Sequence, residues 1–521
     1  MNALELVLVL LAVAAGLAVI AQRLRLPYPI LLVVGGLALA LAPGLPAVRI
    51  DPHLVLLVFL PPLLYAAAWF TSWRDFAANR RPIGLLAVGL VIATTSIVAA
   101  VAHAVIPGMS WPAAFVLGAI VSPPDAVAAT AVMQRLRVPR RIVTIVEGES
   151  LVNDATGLVA YKFAVAAVMT GGFSAWDASG RFVLVAAGGI AVGLAVGWLV
   201  AQIHRRMDHF EVETVVTLLT PYLAYIPAEH LGVSGVLATV AAGGYLGWRN
   251  PELLSALTRF RGRGVWNVLL LLFNGLVFIL IGLQLAAIGD RPIGTSWRQV
   301  IADAALVSAA TVAVRLVYVP IGAYVPRLLS RRIRERDPSP PWRNVVVIAW
   351  TGMRGIVSLA LALALPESMP HREIVIVMSF AVIFVTLLLQ GLTLPWLIRA
   401  LGLPDEGVDL CEEREALIEA SRSALRRLDE IDETLVVHPQ LLTRVRAPYE
   451  ERLERLTAAA REDPECLITE GESAAYRRLR AEALAAERAT VVGLRNHGRI
   501  NEEVLHRVQE ALDLEALQPD R

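Results

Sequence analysis

VSPPDAVAA, residues 121–129, places one carboxylate and two adjacent prolines inside an apolar run that extends from Trp111 to Met133. Pro123 and Pro124 each lack a backbone N–H and disfavour helix in the residue before them, so a helix that starts at Trp111 is expected to break here. At about 1.5 Å of rise per residue, Asp125 stands about 21 Å along that helix, near the middle of a hydrocarbon core about 30 Å thick. Irregular backbone at that depth is tolerated only where it lines a protein-buried or aqueous cavity. These nine residues predict a broken membrane helix that lines a site.

The surrounding chain supplies the membrane. It has 521 residues, 56% hydrophobic and 18% charged, against about 25% charged in a soluble domain. Residues 1–401 hold thirteen runs long enough to span a bilayer: 2–22, 27–42, 54–70, 82–106, 111–133, 142–170, 182–204, 212–228, 233–248, 265–288, 300–325, 345–365 and 374–400. The first run carries Glu5 and no small-residue cleavage site before Arg23, so it is expected to be a retained helix rather than a signal peptide. From Gly402 onward there are 17 Arg and 27 Asp or Glu, a net charge of −10 that leaves +11 for the rest. Two domains are expected, a transmembrane exchange domain over 1–401 and an acidic, helical, regulatory tail over 402–521. Loops after odd-numbered runs hold 21 Arg and those on the opposite side five. Basic loops favour the cytoplasm, so the N-terminus is expected outside and the tail inside.

Composition also excludes some machinery. The single lysine, Lys162, is not followed by Ser or Thr, so no Gly-Lys-Ser/Thr phosphate loop exists and a pump driven by its own P-loop ATPase is ruled out. Both cysteines, Cys411 and Cys466, fall in the tail, suggesting neither a disulfide scaffold nor a thiolate metal site.

EGESLVNDATG (147–157) lies in the sixth run, which starts from the cytoplasmic side and carries Asp154 about 18 Å in from Ile142. Ser150 and Asp154 share a helix face, while Glu149 is turned roughly 140° away. In the twelfth run WTGMRGIVSLA (350–360) puts Arg354 about 14 Å in from Val345, between Gly352 and Gly355, which weaken the helix. Glu149 and Arg354 are expected to form a structural ion pair. An ionisable group at mid-membrane is a functional candidate unless a partner explains it. Asp154 has no evident private cation, and Asp125 is open to either role. Lys162, about 12 Å further outward on the same helix, reads as a snorkelling side chain or an accessory to the site. Arg315, Asn274 and Gln284 read as helix-to-helix hydrogen-bonding groups, and Glu229 beside His230 as a water-reached end of the eighth run.

The interrupted fifth and twelfth helices are each the fifth member of a six-helix set, 1–6 and 8–13. With the seventh helix between them the second set has inverted topology, and such a pair points to a transporter site at the repeat interface. The expected fold is an all-α polytopic membrane protein with 13 transmembrane helices, inverted repeats, broken helices 5 and 12, and a helical cytoplasmic tail. Half-helix ends meeting at the site would present dipoles of both signs, with Asp125 placed to offset the positive ones.

SPPDAV (122–127), GESLVNDATGLV (148–159) and TGMRG (351–355) resemble the three signature helices of the monovalent cation/proton antiporter-1 family, which includes bacterial sodium/proton antiporters and animal sodium/proton exchangers. The resemblance covers residues 1 to about 400, and GLRNHGRINEEVL (493–505) is similar to the tail of the bacterial subgroup. It implies that Asp154 alternately holds the cation and the proton, with Asn153 as its neutral partner. Ser150 would be a hydroxyl ligand, Asp125 the acid of the broken helix beside the monovalent cation, and Glu149 with Arg354 the buried ion pair. It further implies a mobile six-helix core sliding against a dimerising domain. The sequence departs from the pattern in Pro124-Asp125-Ala126, where many members have Thr before the acid and Pro after it. It departs again at Ala66, after Tyr65, where many relatives carry another acid. Fewer protein ligands imply more water around the ion and leave the preference among sodium, lithium and potassium open.

A desolvated carboxylate with compensating positive neighbours can accept either a proton or a hard cation. Exchange becomes obligatory when the loaded forms, and not the empty one, switch between inward-open and outward-open states. The expected protein is therefore a plasma-membrane antiporter, not an enzyme, exchanging one monovalent cation for one proton without net charge movement. Its expected partners are that cation, the proton, membrane lipid and a second copy of the chain; no cofactor and no nucleic acid are expected. A cation channel is one alternative, for which nothing here resembles a filter. An intramembrane aspartyl protease using Asp125 and Asp154 is another, against which stand Asn153 and Arg354. The acidic tail either docks on the Arg-rich cytoplasmic loops or remains solvated.

Overall fold

In a computed structural model the chain divides into two compact units, Met1–Pro404 and Asp405–Arg521. The structure describes residues 3–24, 27–40, 57–136, 138–170, 175–207, 209–287, 296–403, 408–434 and 439–462, with scattered positions from 483 to 508. The start of the third apolar run and most of the tail helices expected over 472–492 lie outside the described residues. Every regular element among those described is helical.

In the first unit the chain forms α1 (Ala3–Leu24), α2 (Tyr28–Ala40), α3 (Leu60–Phe70) and the short α4 (Trp73–Ala78). The short α5 (Arg80–Gly84) continues through a π-helical stretch, Leu85–Leu90, into α6 (Val91–Val105). Then come α7 (Trp111–Val121), α8 (Ala126–Arg135), α9 (Arg140–Thr170), α10 (Ala175–His204), α11 (Phe210–His230), α12 (Gly235–Leu253), α13 (Ala256–Ala287) and α14 (Trp297–Leu329). The short α15 (Arg331–Arg336) precedes α16 (Trp342–Trp350), α17 (Ile356–Leu363) and α18 (Arg372–Leu401). Among the described residues, seven helices are long and apolar enough to cross a membrane: Arg80–Val105, Trp111–Arg135, Arg140–Thr170, Val183–His204, Thr258–Gln284, Trp297–Leu329 and Arg372–Leu401. Shorter apolar helices occupy Val7–Ala21, Tyr28–Ala40 and Leu60–Phe70.

Local chemistry sets several helix starts. Ser110 caps α7 by accepting from the Ala113 N–H, with Pro112 in the first turn, where a missing N–H is harmless. Ser234 caps α12 and Ser296 caps α14 in the same way. Helix is absent from Ser122 to Asp125, around the two prolines, and again from Thr351 to Gly355, around the two glycines.

Packing sorts these helices into two bundles. α5, α6, α7, α8, α9, α14, α16, α17 and α18 pack on one another, as do α1, α2, α3, α10, α11, α12 and α13; the two sets meet only sparsely, chiefly where α9 touches α3 and α12 and where α2 and α13 touch α18 and α17. Within the second bundle α2 and α13 approach until Gly36 faces the carbonyl of Ile279 and Gly282 that of Val33, leaving no room for a Cβ at either position. In the second unit α19 (Val408–Thr434) and α20 (Pro439–Glu462) pack together, joined by an Arg446–Asp429 ion pair of 2.5 Å.

Candidate functional site

Two interrupted segments, α7/α8 and α16/α17, meet inside the first bundle. Each interruption exposes one helix C-terminus, whose carbonyls lack partners, and one N-terminus, whose amides lack them. The ends carry about half an elementary charge each, negative at the C-terminus and positive at the N-terminus. Every one of these four ends is matched by a side chain.

Asp125 takes both N-termini. Its Oδ1 accepts from the Val127 N–H at 2.8 Å, capping α8, and the carboxylate also lies against Gly355 at the start of α17, where it faces the Ile356 N–H. Its own N–H donates to the Met353 carbonyl at 2.7 Å, binding one interruption to the other. Gly355 is required by this approach, because a Cβ there would occupy the space of Asp125 Oδ2.

Two arginines take the C-termini. Arg354, 2% exposed, donates through Nε to the Val121 carbonyl at 2.7 Å, through Nη2 toward Ser122 at 3.5 Å, and through Nη1 to the Gly352 carbonyl. Ser358 donates to the Ile120 carbonyl at 2.7 Å, completing the end of α7. Arg315, 1% exposed on α14, donates to the Ile348 carbonyl of α16 at 3.2 Å through Nε and 3.1 Å through Nη2. The same guanidinium grips Glu149 in a bidentate pair, Nη1 to Oε1 at 2.5 Å and Nη2 to Oε2 at 2.7 Å.

The expected Glu149–Arg354 pair is thereby corrected: Arg315 is the partner of Glu149, and Arg354 binds backbone carbonyls. Both arginines lie at mid-depth, so depth along a helix cannot separate them. What separates them is the fold, which places Arg354 against the end of α7. Arg315 is also more than the helix-to-helix hydrogen-bonding group expected of it.

Asp154 stands beside this arrangement on α9, 8% exposed. It lies within electrostatic reach of Asp125 and has no hydrogen-bond or ion-pair partner among the described residues. Asn153, fully buried, donates from Nδ2 to the Pro124 carbonyl at 3.0 Å, and its Oδ1 is unpartnered among the described residues. The Ser150 hydroxyl accepts from the Ala126 N–H over a long 3.4 Å, so its oxygen is weakly committed. Asn153 and Ser150 thus bring α9 against the interruption at Asp125, with two oxygens near Asp154. Lys162 does not join them: its Nζ is 3.3 Å from Oε2 of Glu229 on α11. Sequence reasoning missed Arg315, Ser358 and Gly355 as parts of the site; a buried arginine at mid-depth in the eleventh run was the available signal.

A family model described as sodium/hydrogen exchanger, transmembrane, matches residues 8–400. The chain is 35% identical over 516 residues to a protein of Mycobacterium tuberculosis named as an uncharacterized Na+/H+ exchanger, covering 97% of this chain and 94% of that one. It is 34% identical over 432 residues to a Na+/H+ antiporter of Aphanothece halophytica, covering 82% of this chain and 80% of the relative. It is also 34% identical over 408 residues to the sodium, potassium, lithium and rubidium/H+ antiporter of Bacillus pumilus, covering 75% and 60%. Among solved structures, the sodium proton antiporter of Methanocaldococcus jannaschii at pH 8 matches with a TM-score of 0.59 at 18% identity, over 76% of this chain and 98% of that one, a likeness of fold alone.

Proposed function

The chain belongs to the sodium/hydrogen exchanger family of transmembrane proteins, and from that premise we propose that it exchanges a monovalent cation for a proton at Asp154. It is a multi-pass transporter, not an enzyme. One observation carries the assignment. Where the two interruptions cross, Glu149 and Asp125 supply two negative charges, Arg315 and Arg354 two positive ones, and the four helix ends cancel in pairs. Asp154 is the carboxylate left over at this crossing. Burying its charge uncompensated is costly, so the site favours a proton or a cation on it at all times.

Competition for one carboxylate then couples the two ions. Ser150 Oγ and Asn153 Oδ1 are oxygen donors suited to a hard cation beside Asp154. Asp125, capping one helix start and lying against the other, balances helix ends and stays charged through the cycle, which makes the exchange one cation for one proton and electroneutral. Sodium is the proposed cation, with lithium and potassium as further candidates; the relatives are named for sodium alone and for several alkali cations.

Alternating access follows from the sparse contact between the two bundles: the first, carrying the site, shifts against the second. Thirteen spans arranged as inverted repeats fit this division. Runs 4–6 and 11–13 make up the first bundle, and runs 1–3 and 8–10, with the seventh, the second. The Arg-rich loops support a plasma membrane orientation with the N-terminus outside and the tail cytoplasmic. The remaining proposals are a homodimer held in lipid, and a tail that regulates exchange.

Asp154→Asn tests the central assignment. The variant should fold and abolish cation-dependent proton flux in proteoliposomes challenged with sodium, lithium, potassium and rubidium in turn. Flux retained at the level of the unsubstituted protein would remove Asp154 as the shared site.

A further inference from the structure

The helix faces on either side of Asp154 differ in exposure. On α9, Val143, Glu147 and Ser150 form a partly exposed stripe at i, i+4 and i+7 that leads from the cytoplasmic end up to Asp154. On α8, Val127, Ala131 and Gln134 form a matching stripe with the same spacing, starting beside Asp125. Toward the outside the same face of α9 is closed: Gly157 is seated against Pro123, and Leu158 and Tyr161 are buried. α7 is likewise buried from Val116 through Val121. The partly exposed faces that reach toward the site are therefore those of α8 and α9 on the side of Arg135 and Arg140, which the Arg-rich loops assign to the cytoplasm.

Glu147 stands on that face of α9. It lies seven residues before Asp154, which on an ideal helix is about 10 Å closer to the cytoplasm and only about 20° off in azimuth. No basic side chain comes within salt-bridge distance of it among the described residues, and no neighbouring charge acts on it. Arg140, at the cytoplasmic start of α9, is already paired with Asp75 at 2.9 Å. An unpaired carboxylate beside low-dielectric protein attracts cations toward it. Ser150, between the two acids on the same face, provides an oxygen on the way.

We propose that Glu147 is a positioning residue that draws the cation from the cytoplasm along this face of α9 to Asp154, without being a ligand of the ion once bound. This rests on Asp154 as the exchange site. Glu147 acts on approach from one side only, which separates it from any group that tunes the site itself.

The test is sided transport by the full chain in proteoliposomes of uniform orientation, with sodium titrated from the cytoplasmic face or the outer face. Glu147→Gln should raise the cytoplasmic-face KM for sodium by about three- to tenfold, the size of one screened charge interaction over this distance. The outer-face KM should stay within about twofold on the same reasoning, and Glu147→Asp should restore most of the cytoplasmic-face affinity. Raising ionic strength with an impermeant salt should raise the cytoplasmic-face KM of the unsubstituted protein, and this measurement stands even where Glu147→Gln fails to fold. An unchanged cytoplasmic-face KM in Glu147→Gln, an equal rise from both faces, or no ionic-strength dependence in the unsubstituted protein would overturn the proposal. Retained exchange in Asp154→Asn would instead overturn the site on which it rests.

Discussion

Arg315 holds Glu149 through two nitrogens and closes the Ile348 carbonyl with the same group, so removing it strands a carboxylate that is 1% exposed. Breaking one side of a buried pair costs about 3 to 5 kcal/mol, because the remaining charge has neither water nor a partner. Arg315→Ala is therefore expected to lower the melting temperature in detergent sharply. Combining it with Glu149→Gln should recover part of the loss, since a neutral amide strands no charge. A single variant that melts with the unsubstituted protein would count against the pair as a stabilising element. Asp154→Asn belongs at the other extreme: it removes a charge the bundle leaves unmatched, so stability should hold or rise while transport is lost.

At the scale of the element, the two interruptions work as one unit because each supplies what the other lacks. Asp125, from the first, lies against the start of α17 in the second, and Arg354, from the second, caps the end of α7 in the first. Gly355→Ala should push the Asp125 carboxylate off both helix starts, abolishing exchange and lowering the melting temperature; near-normal transport in that variant would show that the carboxylate need not sit there. A second junction ties the starts of α5 and α9 to the end of α14. Asp337 accepts from Arg81 at 3.0 Å, Arg141 at 2.8 Å and Arg327 at 2.5 Å. Burial works to raise the Asp337 carboxyl, but hydrogen bonds and charge from Arg327 and Arg141 outweigh it and hold it below the usual carboxylate range. A carboxyl depressed on folding stabilises fully above its unfolded value of 3.8 and loses that contribution as pH falls through the lower folded value. Asp337→Asn should therefore destabilise the fold at pH 7 by about 1 kcal/mol for a partly exposed cluster, read as a lower melting temperature. The gap between the two proteins should narrow progressively as pH falls below about 4. A gap that stays undiminished on acidification would mean the charge on Asp337 is not its source.

For the whole molecule, the proposed exchange takes its stoichiometry from the charge balance where the two interruptions cross. In that proposal Asp125 and Glu149 stay matched, Asp154 alone changes its occupant, and one cation leaves as one proton arrives. In potassium-clamped proteoliposomes with valinomycin, an imposed membrane potential should leave the equilibrium proton gradient unaltered. A potential-dependent shift would require a second group, Asp125 first among them, to titrate with Asp154. The same assay on a protein ending near Leu401 should show exchange with unchanged stoichiometry, because every charged group described at the site lies before Gly402. Loss of exchange from a folded truncation would make the tail part of the transport machinery.

Family membership and the residues that carry it were determined by the sequence alone, through properties that act within a few residues or along one helix. Pro123 and Pro124 exclude helix by steric and hydrogen-bond effects confined to their neighbours, and helix is absent there. The depths of Asp125, Asp154 and Arg354 follow from counting residues along a helix of fixed rise. Azimuth and partnership between helices do not, because they depend on how distant segments rotate as they pack. Glu149 could be given a depth and a direction, and its need for a cation followed from the cost of a buried charge; which arginine answered that need was decided by α14 packing against α16. The same holds for the closed face beyond Asp154 and the partly exposed one before it. Burial is a property of neighbours, and only the tertiary structure brings Pro123 against Gly157 and leaves Glu147 partly exposed.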